Sequence, residues 1–131
     1  MSVFGYNQDI IDEFVETTRT DLEKYQAALR GVSVESAPAE SIFDIYRVLH
    51  TLKGTSGFLD FNHLGDLTGT AEKLAIALRD QEKNWAESMR EPFEETGRRI
   101  EAILASIEKD GTEGAPDNLE LMATFEELCE E

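Results

Sequence analysis

Residues 50–57 read His50-Thr51-Leu52-Lys53-Gly54-Thr55-Ser56-Gly57, and they hold the residue types in this chain best suited to chemistry. In a helix, His50, Lys53, Gly54 and Gly57 are spaced i, i+3, i+4 and i+7, so they share one face. Leu49 and Leu52 point elsewhere. Neutral imidazole is a good nucleophile near neutral pH, because its unperturbed pKa is about 6.5. Its attack on a terminal phosphate such as that of ATP gives a phosphoramidate, a covalent intermediate that still transfers readily. Lys53 is placed to offset the charge of the phosphoryl oxygens as a mobile point charge. Each glycine inside a helix costs about 1 kcal/mol against alanine, so a helix selected for stability alone would keep neither. Together they clear side chains from beside the ring, and Gly54, Gly57 and the following Phe58 form the expected partner-binding strip.

An imidazole is most useful when a carboxylate accepts its Nδ1 proton, which fixes the tautomer and leaves the Nε2 lone pair facing outward. The surrounding elements supply one. The apolar period is helical nearly everywhere. A first helix carries Ile11, Phe14, Thr18, Leu22, Tyr25 and Leu29, with Asn7 as N-cap and Gly31 as stop. Pro38 fits the first turn of a second helix, whose buried stripe is Ile42, Ile45, Leu49, Leu52 and Ser56, reaching Leu59. Residues 60–62 make a tight connection. A third helix follows with Leu64, Leu67, Ala71, Leu74 and Leu78. His50 lies 11 positions before residue 61 and Glu72 lies 11 after it, so antiparallel pairing brings the two to one level.

A fourth helix starts near Glu91 after an irregular turn and carries Phe93, Thr96, Ile100, Ile103 and Ile107. Residues 110–115 break the pattern. Pro116 and Asp117 then open a short acidic helix with Leu119, Met122, Phe125 and Leu128 on one side. The expected fold class is all-α: an antiparallel up-down four-helix bundle over residues 1–110 with an additional short C-terminal helix in 111–131, packed on the bundle or leading into a linker.

Composition narrows the function. The 131 residues carry a formal net charge of −16, which repels nucleic acid and anionic lipid. Cys129 is the single cysteine, so an internal disulfide is excluded and a reducing compartment is the simplest setting. No apolar run is long enough to span a membrane, and the first residues lack the pattern of a signal peptide. A cytoplasmic protein is expected. His63 has no partner at useful spacing, and neither HxxxH nor HExxH occurs, so no metal site is expected.

The run RVLHTLKGTSGFLDF followed by LTGTAEKL resembles the histidine phosphotransfer (HPt) domain at the N-terminus of the chemotaxis kinase CheA, over roughly residues 7–109. The resemblance implies that His50 is the phosphorylated histidine, that Lys53 and Gly54 are the Lys-Gly of the motif, and that Glu72 accepts a hydrogen bond from the imidazole. Gly69 departs from the pattern, since relatives often have a second histidine there. The His50–Glu72 pair survives that change, and Thr68 and Thr70 flank the gap. The resemblance also implies that a separate ATP-binding kinase domain phosphorylates His50. The acceptor is then an aspartate of a CheY-like or CheB-like response regulator. On that reading the chain needs no cofactor, ATP and Mg²⁺ belong to partner domains, and it is not a catalyst alone. Two other functions fit the same residues: a stand-alone relay protein working between receiver domains, and a non-catalytic helical docking module.

Overall fold

The structure, a computed structural model, describes residues 8–131; the expected N-cap Asn7 lies outside them. Among the described residues the chain is all-helical, with α1 over Gln8–Arg30, α2 over Ala39–Phe58, α3 over Asn62–Arg79, α4 over Arg90–Asp110 and α5 over Leu119–Glu130. A 3₁₀ turn, Glu87–Met89, leads into α4, and Pro92 sits in the first turn of that helix, where its missing N–H has no partner to lose. Helices α1 to α4 close a four-helix bundle in which α1 packs on α2 and α4, and α3 on α2 and α4. Helix α5 lies against α3 and α4. None of the described helices is long and apolar enough to cross a membrane.

The stripes expected on α1, α2 and α3 are all buried. Tyr25 is fully enclosed and its hydroxyl donates to the Phe93 carbonyl at 2.6 Å, tying α1 to α4. The last helix requires a correction. Leu119 is 76% exposed, and Leu121, Phe125 and Leu128 form the buried face. The helix begins at Leu119 rather than at Pro116, where the Asp117 carboxylate accepts from the Leu119 N–H at 3.3 Å. Its orientation then puts Leu121, two positions and about 200° further round, against the bundle. Phe125 packs on Phe93 with ring centroids 5.2 Å apart, and Trp85 stacks on the same ring.

What matters most for function is the join between α2 and α3. Asp60 adopts φ 61°, a left-handed conformation that a short polar residue tolerates. The Phe61 N–H then donates back to the Ser56 carbonyl at 2.8 Å, closing the end of α2. From the α4–α5 connection, Glu113 caps the start of α3: its two carboxylate oxygens accept from the His63 and Leu64 N–H groups at 3.0 Å each. Gly111, at φ 76°, ends α4 in the conformation glycine adopts without a Cβ penalty and turns the chain towards that cap. Near the join the two helices meet through small residues, since a Cβ added at Gly65 would sit 3.6 Å from that of Ser56.

This close contact has a cost. Among the described residues, the Ser56 hydroxyl is the buried side-chain group without a hydrogen-bond partner. Ser56→Ala removes the unpaired group and keeps the small size. It is expected to stabilise the bundle by on the order of 1 kcal/mol, raising Tm by roughly 3–5 °C. A lower melting temperature in a thermal scan would show that the hydroxyl is not the liability inferred here.

Candidate functional site

The α2–α3 join sets the register that places His50 and Glu72 at one level. The His50 side chain is 57% exposed, whereas that of Glu72 is only 4% exposed. Glu72 Oε2 lies 2.5 Å from His50 Nδ1. The carboxylate can only accept, so this nitrogen carries the proton and the Nε2 lone pair is left on the open side of the ring.

The carboxylate is shared. Its other oxygen, Oε1, lies 2.8 Å from Lys53 Nζ. Lys53, expected as a mobile charge beside a phosphoryl group, is thus anchored to the same buried acid. Burial pushes the Glu72 carboxyl up, but the hydrogen bonds from Lys53 and His50 and their charges outweigh it, holding the group below the ordinary glutamate range. The site therefore has an ionised acid near neutrality, buried behind an exposed imidazole.

Gly69 explains how Lys53 gets there. A Cβ at this position would lie 3.1 Å from Lys53 Cδ and 3.6 Å from Cγ. The methylenes of Lys53 cross α3 where a larger residue would stand. Of the two flanking threonines, Thr68 is buried and its hydroxyl is spent on the Leu64 carbonyl at 2.8 Å; Thr70 lines a groove between α2 and α3 together with Lys53, Gly57 and Lys73.

The remaining predicted residues lie along the same exposed face. Cβ atoms added at Gly54 or Gly57 would meet nothing within 4 Å. Packing inside the chain therefore does not call for either glycine, and their helical cost is not offset within the fold. Phe58, 64% exposed at the end of α2, lines a second groove, between α1 and α2, together with Gly54. The six residues are thus arranged in two groups: His50, Lys53 and Glu72 as one bonded cluster, with Gly54, Gly57 and Phe58 as open surface beside it.

Sequence reasoning missed Tyr46 and Arg79. The Tyr46 ring stacks on that of His50, with centroids 5.4 Å apart and planes 22° apart. The Arg79 guanidinium lies over Tyr46, 4.3 Å from its centroid. The signal was present: Tyr46 precedes His50 by four residues, one helical turn. Arg79 follows residue 61 by as many positions as Phe43, beside Tyr46, precedes it.

A helical bundle that exposes a tautomer-fixed histidine on one helix and buries its carboxylate on the next is built as a phosphotransfer domain. Comparison with known families agrees: a family model described as "Hpt domain" matches residues 9–131. The chain belongs to the Hpt domain family, whose members generally transfer phosphate between kinase and receiver domains. It is also similar to proteins named "Chemotaxis protein CheA". The one from Bacillus subtilis (strain 168) is 23% identical over 120 residues, covering 88% of this chain and 17% of that protein. The one from Listeria monocytogenes is 23% identical over 120 residues, covering 92% and 19%. The one from Borreliella burgdorferi is 28% identical over 78 residues, covering 60% and 9%. The chain thus spans less than a fifth of the length of these relatives.

The electrostatics make a pH prediction. A carboxyl with a folded pKa below its unfolded value adds stability that is present above the ordinary carboxylate range. That stability is lost as pH falls through the lowered folded value. The Glu72 side-chain carbon, followed by NMR, is expected to titrate below the 4.5 of an unperturbed glutamate. Lys53→Met removes one of the two hydrogen bonds together with a positive charge and should move that midpoint upward, since burial then meets less opposition. A midpoint that does not move would place the Lys53 ammonium elsewhere in solution.

Proposed function

We propose that this chain is the phosphoryl carrier of a chemotaxis-type histidine kinase, receiving phosphate on His50 and passing it to an aspartate of a response regulator of the CheY or CheB kind. The observation that carries the reading is the pairing of a half-exposed imidazole with a buried, ionised Glu72 on a face whose two glycines the fold itself does not need. The similarity to proteins named for chemotaxis supports the setting.

In the first step Nε2 attacks the γ-phosphorus of ATP. A nitrogen–phosphorus bond forms, and the bond from phosphorus to the bridging oxygen breaks, with its electron pair leaving on ADP. The Nδ1 proton stays shared with Glu72, whose negative charge compensates the positive charge gained by the ring. In the second step a carboxylate oxygen of the regulator attacks the phosphorus, and the nitrogen–phosphorus pair returns to Nε2. Both steps are transfers in which positioning and charge compensation supply the catalysis. ATP is held by a kinase domain and Mg²⁺ by the partners, so this chain contributes the nucleophile and its tautomer. Gly54, Gly57 and Phe58 form the strip along which a partner approaches. The cellular setting that fits both partners and the single cysteine is the cytoplasm.

Incubation of the chain with radiolabelled ATP and a CheA-type catalytic domain tests the reading. Label is expected on His50 alone, labile to acid and stable to base, and His50→Gln should stay folded yet take none. Label acquired only from a phosphorylated receiver would instead identify a stand-alone relay, and no label under either condition would leave a docking module. Gly57→Leu should barely change or raise stability but slow transfer from the phosphorylated chain to a regulator by steric exclusion. Transfer at the wild-type rate would move the docking surface off this strip.

A further inference from the structure

The Nε2 lone pair lies in the plane of the imidazole, so in-line attack on phosphorus requires the ring plane to be fixed as well as the tautomer. Glu72 secures the tautomer through one contact at Nδ1. A single hydrogen bond has little torsional stiffness, and the outer torsion of histidine is intrinsically broad. The ring therefore needs a second restraint.

Tyr46 supplies the matching surface. It stands one turn before His50 on α2, and its ring is stacked with the imidazole at a 22° interplanar angle. Tyr46 is itself held: it is partly buried against the core, Phe43 tilts against it at 5.9 Å, and Arg79, from the last turn of α3, lies over its ring. Arg79 is in turn oriented by Asp80, 2.9 Å from its Nε. We propose that Tyr46, backed by Arg79, is a positioning residue that fixes the plane of the His50 ring and so aims Nε2 at phosphorus. The inference rests on the carrier reading above and adds to it a second point of control, at the face of the ring rather than at Nδ1.

The test uses phosphoramidate as donor, which needs no protein partner and so separates aiming from docking. Nε2 attacks its phosphorus, the original nitrogen–phosphorus bond breaks, and ammonia leaves with the electron pair. Two readouts are taken on the 131-residue chain: the phosphorylation rate, and the NMR shifts and relaxation of the His50 ring protons and nitrogens. Tyr46→Leu is expected to slow phosphorylation roughly tenfold, to remove the ring-current shift, and to increase ring motion, while the nitrogen shifts still report Nδ1–H. Glu72→Gln should do the converse and disturb the tautomer. Tyr46→Phe keeps the flat face and should restore both rate and ring order. A Leu variant as fast and as ordered as wild type overturns the proposal, and so does a Phe variant as slow as Leu. If Tyr46→Leu does not fold, Arg79→Met decides: it should give a smaller loss with a looser ring, and wild-type behaviour there counts against the clamp. A wild-type chain that takes no phosphoryl group refutes the carrier reading instead, and the ring resonances alone then decide whether Tyr46 orders His50.

Discussion

The buried carboxylate of Glu72 is the interaction on which the rest of this bundle turns. An ionised acid taken out of water carries a penalty of several kcal/mol, and a packed helix interface offers little to repay it. Here each oxygen has a cationic or proton-donating partner, Lys53 on one side and His50 on the other. The cluster is self-consistent only when α2 and α3 keep their register, because a slip of one residue would turn His50 and Lys53 away from α3. The features that set that register lie a few turns away: the left-handed Asp60, the Phe61-to-Ser56 backbone bond, and the small-residue contact of Ser56 with Gly65. The Glu113 cap on α3 reaches across from the α4–α5 connection and ties the far end of the chain to the same register. Packing, turn chemistry and capping thus converge on the placement of a single acid.

The division between exposed and buried parts of the cluster follows from what each must do. The imidazole, which on the proposed reading meets other molecules, sits half out of the protein. The acid that orients it works best where water cannot compete for its oxygens, since a hydrogen bond to a charged group gains strength in a less polar setting. Lys53 reconciles the two by neutralising the acid without covering the ring. The Gly54–Gly57 strip extends the same economy of side chains along α2, leaving backbone bare beside the ring, where the proposed partner would approach.

Much of this was legible in the sequence because it depends on counting. Helical periodicity located the helices and the stripes of α1 to α3, and equal offsets from residue 61 paired His50 with Glu72. What could not be read depends on side-chain reach or on phase. The path of Lys53 to Glu72 requires knowing that Gly69 leaves a gap on the neighbouring helix, which a one-dimensional pattern does not encode. Leu119 lies off the buried face because a strict spacing of three residues drifts by about 60° per step, so that over Leu119, Met122, Phe125 and Leu128 the stripe turns through about half a circle. Tyr46 and Arg79 belong to no apolar stripe and to no motif. Their contact with each other and with His50 arises only when two helices are superposed.

For a carrier, holding the phosphoryl group too well is as damaging as failing to accept it. The chain has a formal net charge of −16, and a phosphoryl group adds further negative charge, so the product is not stabilised by a general positive field. Lys53, paired with Glu72, already has part of its charge answered within the fold. On the proposed carrier reading the compensation is directed at the ring: the imidazole would become more positive on phosphorylation at Nε2, and the carboxylate 2.5 Å from Nδ1 would answer that charge. When the nitrogen–phosphorus bond breaks, the ring returns to neutrality and the interaction relaxes to its starting strength. On the proposed reading the same acid accompanies the ring through both steps, answering its charge when the phosphoryl group is present and holding its tautomer when it is not.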